Sequence, residues 1–167
     1  MKILYMSSAS PFGLLVTLLG HSRWTHCVAV FDDDVAIDAQ AGHGVRESTL
    51  GAHLAGIKWV YQWRIDEIKL PDEAGARRFA ESQIGRGYDY AALLNFVVPF
   101  RARLNLGASS RWECSEFVTA IVKAGGGCLL REATVYVTPD MAAMSPAQTE
   151  VQATKSRKWI EVLKSVL

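Results

Sequence analysis

The residues best suited to covalent chemistry in this sequence are Cys114, His26 and Asp38. Cys114 stands in Ser110-Arg111-Trp112-Glu113-Cys114-Ser115-Glu116-Phe117-Val118. Ser110 and Glu113 are spaced as a capping box, in which each side chain satisfies an orphan backbone N–H at a helix start. Phe117, Val118, Ile121 and Val122 follow Cys114 at i+3, i+4, i+7 and i+8, the core-facing stripe of a helix that Gly125-Gly126-Gly127 ends. A thiol in a first helical turn feels the positive end of the helix dipole, which favours the nucleophilic thiolate. The chemistry so implied is acyl transfer to sulfur. It also needs a base, commonly histidine, and a third polar group to hold the imidazole's tautomer.

His21, His26, His43 and His53 are the candidate bases. His26 stands out because it lies inside the apolar stretch 24–31, on the same strand face as Val28 and Val30. A histidine there is buried or lines a cleft, and its ring nitrogens need partners. Asp38 is the natural third member. Asp32-Asp33-Asp34 reads as a turn and residues 35–40 as the returning strand of a hairpin. Paired residues of such a hairpin point to one side. With a three-residue loop at Phe31-Asp32-Asp33, His26 faces Asp38; a loop around all three aspartates shifts the pairing by two and keeps both on one face. A two-residue loop separates them.

The remaining elements are those that must carry this hairpin and helix. Residues 2–6 form a short strand or an extended arm. Ser10-Pro11 opens a helix that Gly20 stops, Val45-Arg46-Glu47 is a brief third strand, and 59–68 is a longer one with period-2 alternation. Pro71-Asp72-Glu73 opens a helix with Ala76, Phe79, Ala80 and Ile84 inward. Asp89 caps a further helix carrying Leu93, Leu94 and Val97. Residues 101–109 are a basic connector, 134–137 a short strand, and Thr138-Pro139-Asp140 a loop or one-turn helix. Residues 155–167 suit a strand or an amphipathic helix equally. The sum is one α+β domain over residues 1–167 with no internal repeat.

Composition bounds the partners. Of 167 residues, 50% are apolar and 21% charged, with a net charge of +1, which gives no electrostatic case for nucleic acid or an anionic membrane as main partner. Cys27, Cys114 and Cys128 are an odd count in a chain of this size, which favours free thiols and a cytoplasmic setting. No run reaches the roughly 18 apolar residues of a spanning helix. The cysteines lack a close ligand pair such as C-x₂-C, so no metal is expected, and no organic cofactor is implied.

Three features in order carry a resemblance: a histidine in a Trp-x-His-x-x-x-Val strand, a polar residue on the returning strand, then a Cys-Ser-Glu-Phe-Val helix. Together they resemble the circularly permuted NlpC-type papain-like cysteine hydrolases, the YiiX-like group, with lecithin:retinol acyltransferase relatives further off. The late position of Cys114 is what suggests permutation, and Tyr88-Asp89 and Thr138-Pro139-Asp140 are weaker echoes. The resemblance covers about residues 10–140. It implies a permuted papain-like fold, a central antiparallel sheet with the cysteine-bearing helix packed on it. It makes Cys114 the nucleophile, His26 the base and Asp38 the third residue, which in the family is usually glutamate or histidine. The acyltransferase branch has Asn-Cys-Glu-His-Phe-Val where this chain has Glu-Cys-Ser-Glu-Phe-Val, which weakens the case for lipid acyl transfer.

The expectation is therefore a cysteine amidase or peptidase acting on a small peptide or cell-wall-type amide, with Trp112, Tyr88 and Arg111 available to line its cleft. A papain-like module kept for binding or assembly, and a thioesterase or acyltransferase using the same residues, are the alternatives. Each residue also has a plainer reading. Cys114 can be an inert packed thiol, His26 a satisfied core histidine and Asp38 a turn-proximal polar residue on an edge strand. Cys27 reads as core filler, Cys128 as unpaired, His43 as solvated and the Trp59/Tyr61/Trp63 stripe as sheet core.

Overall fold

In a computed structural model, residues 1–55, 60–92, 110–130 and 137–153 are described. The elements in chain order are β1 (Lys2–Ser8), α1 (Pro11–Gly20), β2 (His26–Val30), β3 (Val35–Gln40), β4 (Gly44–Thr49), α2 (Leu50–Ala55) and β5 (Val60–Ile68). They continue with α3 (Glu73–Ser82), β6 (Gly87–Tyr88), β7 (Arg111–Trp112), α4 (Cys114–Ala124), α5 (Pro139–Ala143) and β8 (Gln148–Ala153). Six strands form an antiparallel sheet in the order β4-β3-β2-β1-β5-β8, and β6 and β7 form a small parallel pair. This is an α+β arrangement with an antiparallel sheet and few helices.

β1 lies in the middle of the sheet, between β2 and β5. Its Ile3 and Tyr5 face the main core with Cys27, Ala29, Ile37 and Ala39, while Leu4 and Met6 face a second cluster with Val28, Val30, Ala36 and Ile65. Burial on both faces explains why residues 2–6 lack the alternation that marks a half-exposed strand. α4 covers the first face with Phe117, Val118, Ile121 and Val122, all fully buried. Each such side chain contributes about 1.5–3 kcal/mol of hydrophobic stabilisation. The stripe read from the sequence is the one that packs.

The hairpin takes the loop that encloses all three aspartates. Phe31 N–H donates to Val35 O (2.8 Å), Asp34 N–H donates to Phe31 O (3.1 Å), and Asp34 adopts a left-handed φ of 65°. Aspartate tolerates that region better than most residues, and a left-handed third residue closes a three-residue hairpin loop. Val30 therefore pairs with Ala36 and Ala29 with Ile37.

Other differences have local causes. β2 begins at His26 rather than Trp24, because the preceding backbone is tied elsewhere. α2 and β8 carry no clear sequence signal: α2 has no buried residue, and β8 is an edge strand almost wholly exposed. Trp63 and Ile65 join the second cluster, Trp63 only partly buried; Trp59 lies outside the described residues. So do the expected helix around Leu93, Leu94 and Val97, the connector 101–109, most of the strand 134–137 and the segment 155–167. Asp89 Oδ1 accepts from Ala91 and Ala92 N–H (2.9 and 3.1 Å).

Candidate active site

Cys114 is the first residue of α4, but the cap that places it there is Glu113 rather than Ser110. Arg111 and Trp112 are engaged in the parallel pairing with Gly87 and Tyr88, so the helix cannot begin until they are passed. Glu113 Oε2 accepts from the backbone N–H of Ser115 (2.9 Å) and Glu116 (3.1 Å), and from Ser115 Oγ (2.5 Å). Its other oxygen, Oε1, accepts from the Cys114 thiol at 2.8 Å. Ser115 Oγ also reaches Val137 O at 2.5 Å.

His26 opens β2, and its Nε2 lies 2.7 Å from Asp38 Oδ2. Carried along from Val30 and Ala36, the register sets Asp38 level with Val28, two residues from His26. The contact is thus a diagonal across one face, within the reach of these side chains. With Nε2 on Asp38, Nδ1 is the ring nitrogen left over, and Cys114 is among the groups that raise the His26 pKa. Asp38 is fully buried, and its Oδ1 faces Arg46 Nε (3.5 Å) and His53 Nε2 (3.9 Å).

The order of β2 is secured from outside the sheet. Asp140, just inside α5, accepts from the backbone N–H of Arg23 (2.8 Å) and Trp24 (3.0 Å), and Thr25 N–H bonds Met6 O (2.8 Å). Thr138-Pro139-Asp140 is therefore a short capped helix whose carboxylate anchors the approach to His26.

Burial would push the His26 imidazolium down, but hydrogen bonds to Asp38 and Cys114 outweigh it and raise its pKa from 6.5 to about 10. Burial likewise pushes the Asp38 carboxyl up, and the His26 hydrogen bond and charge bring it below the usual carboxylate range. Cys114 departs from the expected low thiol pKa. Its contact with the Cys27 thiol, its burial and the Glu113 charge raise it well above the usual range, with His26 opposing. The helix dipole acts at a helix end, whereas a carboxylate at hydrogen-bond distance acts directly on the thiol. Two hydrogen-bonded pairs result, His26 with Asp38 and the Cys114 thiol with Glu113.

No protein-family model and no curated protein sequence matches the chain. Among solved structures it is similar to the crystal structure of metalloprotein yiiX from Escherichia coli O157:H7, DUF1105, at 16% sequence identity and a TM-score of 0.65. The likeness covers 92% of this chain and 96% of that one. The fold is yiiX-like.

Of the residues expected to line a cleft in this yiiX-like fold, Tyr88 is the one that is buried. Its ring packs edge-on against Phe12, and burial and the charges of Cys114 and Glu113 hold its hydroxyl protonated. Trp112 is turned into the packing instead: its indole N–H donates to Gln83 (3.1 Å) and its ring sits against Phe79 and Phe117. Arg111 is exposed on β7. Cys27 is core, as read, in the same cluster as Cys114, whose pKa it helps to raise. His43 is exposed in a turn, and Cys128 is exposed with its thiol on Leu130 O.

Sequence reasoning missed the surroundings of the pair. Arg46 pairs directly with Asp38 across β3 and β4, and His53 on α2 donates to or accepts from Ser48 Oγ at 2.7 Å. Alternation along β4 was enough to place Arg46 on the Asp38 face; no local pattern marked His53. Glu113 was read as half of a capping box, which concealed its contact with the sulfur.

Proposed function

We propose that the protein is a cysteine hydrolase of the permuted papain-like, NlpC type, cleaving an amide bond in a small peptide or cell-wall-type substrate. The observation that carries this reading is the His26 Nε2 to Asp38 Oδ2 bond at 2.7 Å, on a ring whose other neighbour is the Cys114 thiol at the start of α4. A nucleophile, a base and an orienting carboxylate in this order are the working parts of acyl transfer to sulfur.

In this reading the Cys114 proton passes to His26, Sγ attacks the carbonyl carbon, and the carbonyl electrons move to oxygen. The cap takes the N–H groups of Ser115 and Glu116, and the Glu113 carbonyl takes that of Phe117, which leaves the Cys114 N–H to stabilise the oxyanion. The His26 imidazolium protonates the departing amine. As a neutral base it then takes a proton from the water that hydrolyses the thioester, and Asp38 holds the ring throughout.

The name metalloprotein belongs to the structural neighbour. Among the described residues of this chain, no group of three or more His, Cys, Asp or Glu side chains is placed to hold a metal ion, and no step is routed through one. A second reading, a papain-like module kept for binding, is favoured by the near-complete burial and raised pKa of Cys114. The two are separated by incubating the protein with short peptide amides and muropeptide fragments and following released amine. Release that disappears in both Cys114→Ala and His26→Ala supports the hydrolase. Binding of the same peptides without release, unchanged by Cys114→Ala, supports the module.

A further inference from the structure

We propose that Arg46 is a positioning residue, the group that holds Asp38 Oδ1 so that Oδ2 stays on His26. This rests on the reading of Cys114, His26 and Asp38 as the reacting set and goes beyond it by assigning what fixes the third member. Arg46 and Asp38 are direct partners across β3 and β4, so the ladder sets their side chains side by side on one face. Arg46 Nε stands 3.5 Å from Oδ1, and both atoms are buried without a hydrogen-bond partner among the described residues. Asp38 has no exposed surface, so bulk water does not reach Oδ1. A buried carboxylate oxygen left with neither a donor nor a cation is costly, which makes the facing guanidinium its natural hold.

Among the described residues, the groups facing the carboxylate come from three elements. His26 on β2 takes Oδ2 at 2.7 Å, while Arg46 on β4 and His53 on α2 face Oδ1. His53 stands farther off, at 3.9 Å, with its Nε2 already bonded to Ser48 Oγ at 2.7 Å. Burial also lowers its pKa below 6.5, so it brings no charge at neutral pH. The Arg46 guanidinium is charged throughout the working range, and with 38% of its side chain exposed it is not itself stripped of solvent. The terminal torsion of an aspartate is broad and roughly two-fold, so a hold on one oxygen leaves the group free to turn. Holds on both oxygens remove that freedom, and the imidazole is then fixed through Oδ2.

Two variants separate charge from packing. Arg46→Met keeps the apolar stem without the charge, and Arg46→Lys keeps the charge without the fork. The first readout needs no reaction: the Asp38 carboxyl is titrated by carbon-13 NMR, its resonance assigned by its loss in Asp38→Asn. Arg46→Met is expected to raise the Asp38 midpoint by at least about one pH unit, and Arg46→Lys to keep it near the wild-type value. A midpoint unmoved in Arg46→Met overturns the role of Arg46. The second readout is acetylation of Cys114 by p-nitrophenyl acetate at pH 7, followed by p-nitrophenolate release and peptide mass. Arg46→Met is expected to slow it by about tenfold, the size of one weakened hydrogen bond in the transition state, with Arg46→Lys recovering most of the rate. A loss in His53→Gln that Arg46→Met does not share would make His53 the hold and overturn the proposal. If wild-type Cys114 takes no acetyl, the nucleophile reading fails, while the carboxyl titration still decides whether Arg46 holds Asp38. Should Arg46→Met not fold, the wild type decides through the Arg46 Nε–H resonance. Movement of that resonance with the Asp38 carboxyl midpoint supports the hold, and a resonance that stays fixed through the titration overturns it.

Discussion

His26 and Asp38 are joined by a 2.7 Å hydrogen bond although they are not opposite one another in the hairpin. The loop of three aspartates shifts the pairing by two, and parity then decides the outcome. A shift of two keeps both side chains on one face; a shift of one would have put the carboxylate in the opposite cluster. The contact thus depends on the left-handed backbone of Asp34 as much as on its two members.

The pair sets the charge on His26, and Asp38→Asn isolates that effect. Imidazole NMR titration is expected to show the His26 pKa falling from about 10 toward the ordinary 6.5 in the variant. His53, lowered mainly by burial, is expected to titrate below 6.5 in the wild type. A folded-state pKa above the unfolded value stabilises the fold fully below pH 6.5 and loses that contribution as pH rises through about 10. Urea unfolding of the wild type should therefore weaken over that window more than that of Asp38→Asn. Equal slopes would remove the ion pair from the explanation.

Thiol labelling tests the direction of the Cys114 shift. Cys128 is exposed while Cys27 and Cys114 are buried, so iodoacetamide at pH 7 is expected to modify Cys128 first. Labelling of Cys114 should accelerate only as the pH passes above the ordinary thiol value of 9.0, because Cys27, burial and Glu113 hold the proton on. Mass mapping of the labelled peptides reads the order. Fast labelling of Cys114 at neutral pH would restore the low thiol pKa that the helix position alone suggested.

The anchor from α5 is tested by Asp140→Ala. Two backbone N–H groups lose a charged acceptor just before β2, a loss of about 2 kcal/mol in urea unfolding, since hydrogen bonds to charged groups contribute more than neutral ones. Asp140→Asn retains an acceptor oxygen and should lose less. A neutral Asp140→Ala would mean that the strand holds His26 without this clamp.

The readable parts of the molecule were those with a local pattern. The apolar stripe after Cys114, the turn at Asp32-Asp33-Asp34 and the shared face of His26 and Asp38 follow from periodicity over a few residues. The exact cap did not, because the pairing of Trp112 with Tyr88, far away in sequence, sets where α4 starts. Nor did the thiol's pKa, which is set by Cys27 and Glu113 together and requires the fold that brings β2 against α4. His53 illustrates the same limit: it reaches Asp38 only through the return of α2 over the sheet.

The most direct test asks which thiol carries an acyl group during turnover. The protein is mixed with an N-acetyl-dipeptide p-nitrophenyl ester, quenched in acid and digested, and the acylated peptide is identified by mass. A Cys114, His26 and Asp38 site predicts a hydroxylamine-sensitive acyl group on Cys114 alone, absent in His26→Ala. Acylation spread over Cys27, Cys114 and Cys128, or persisting on Cys114 without His26, would contradict it.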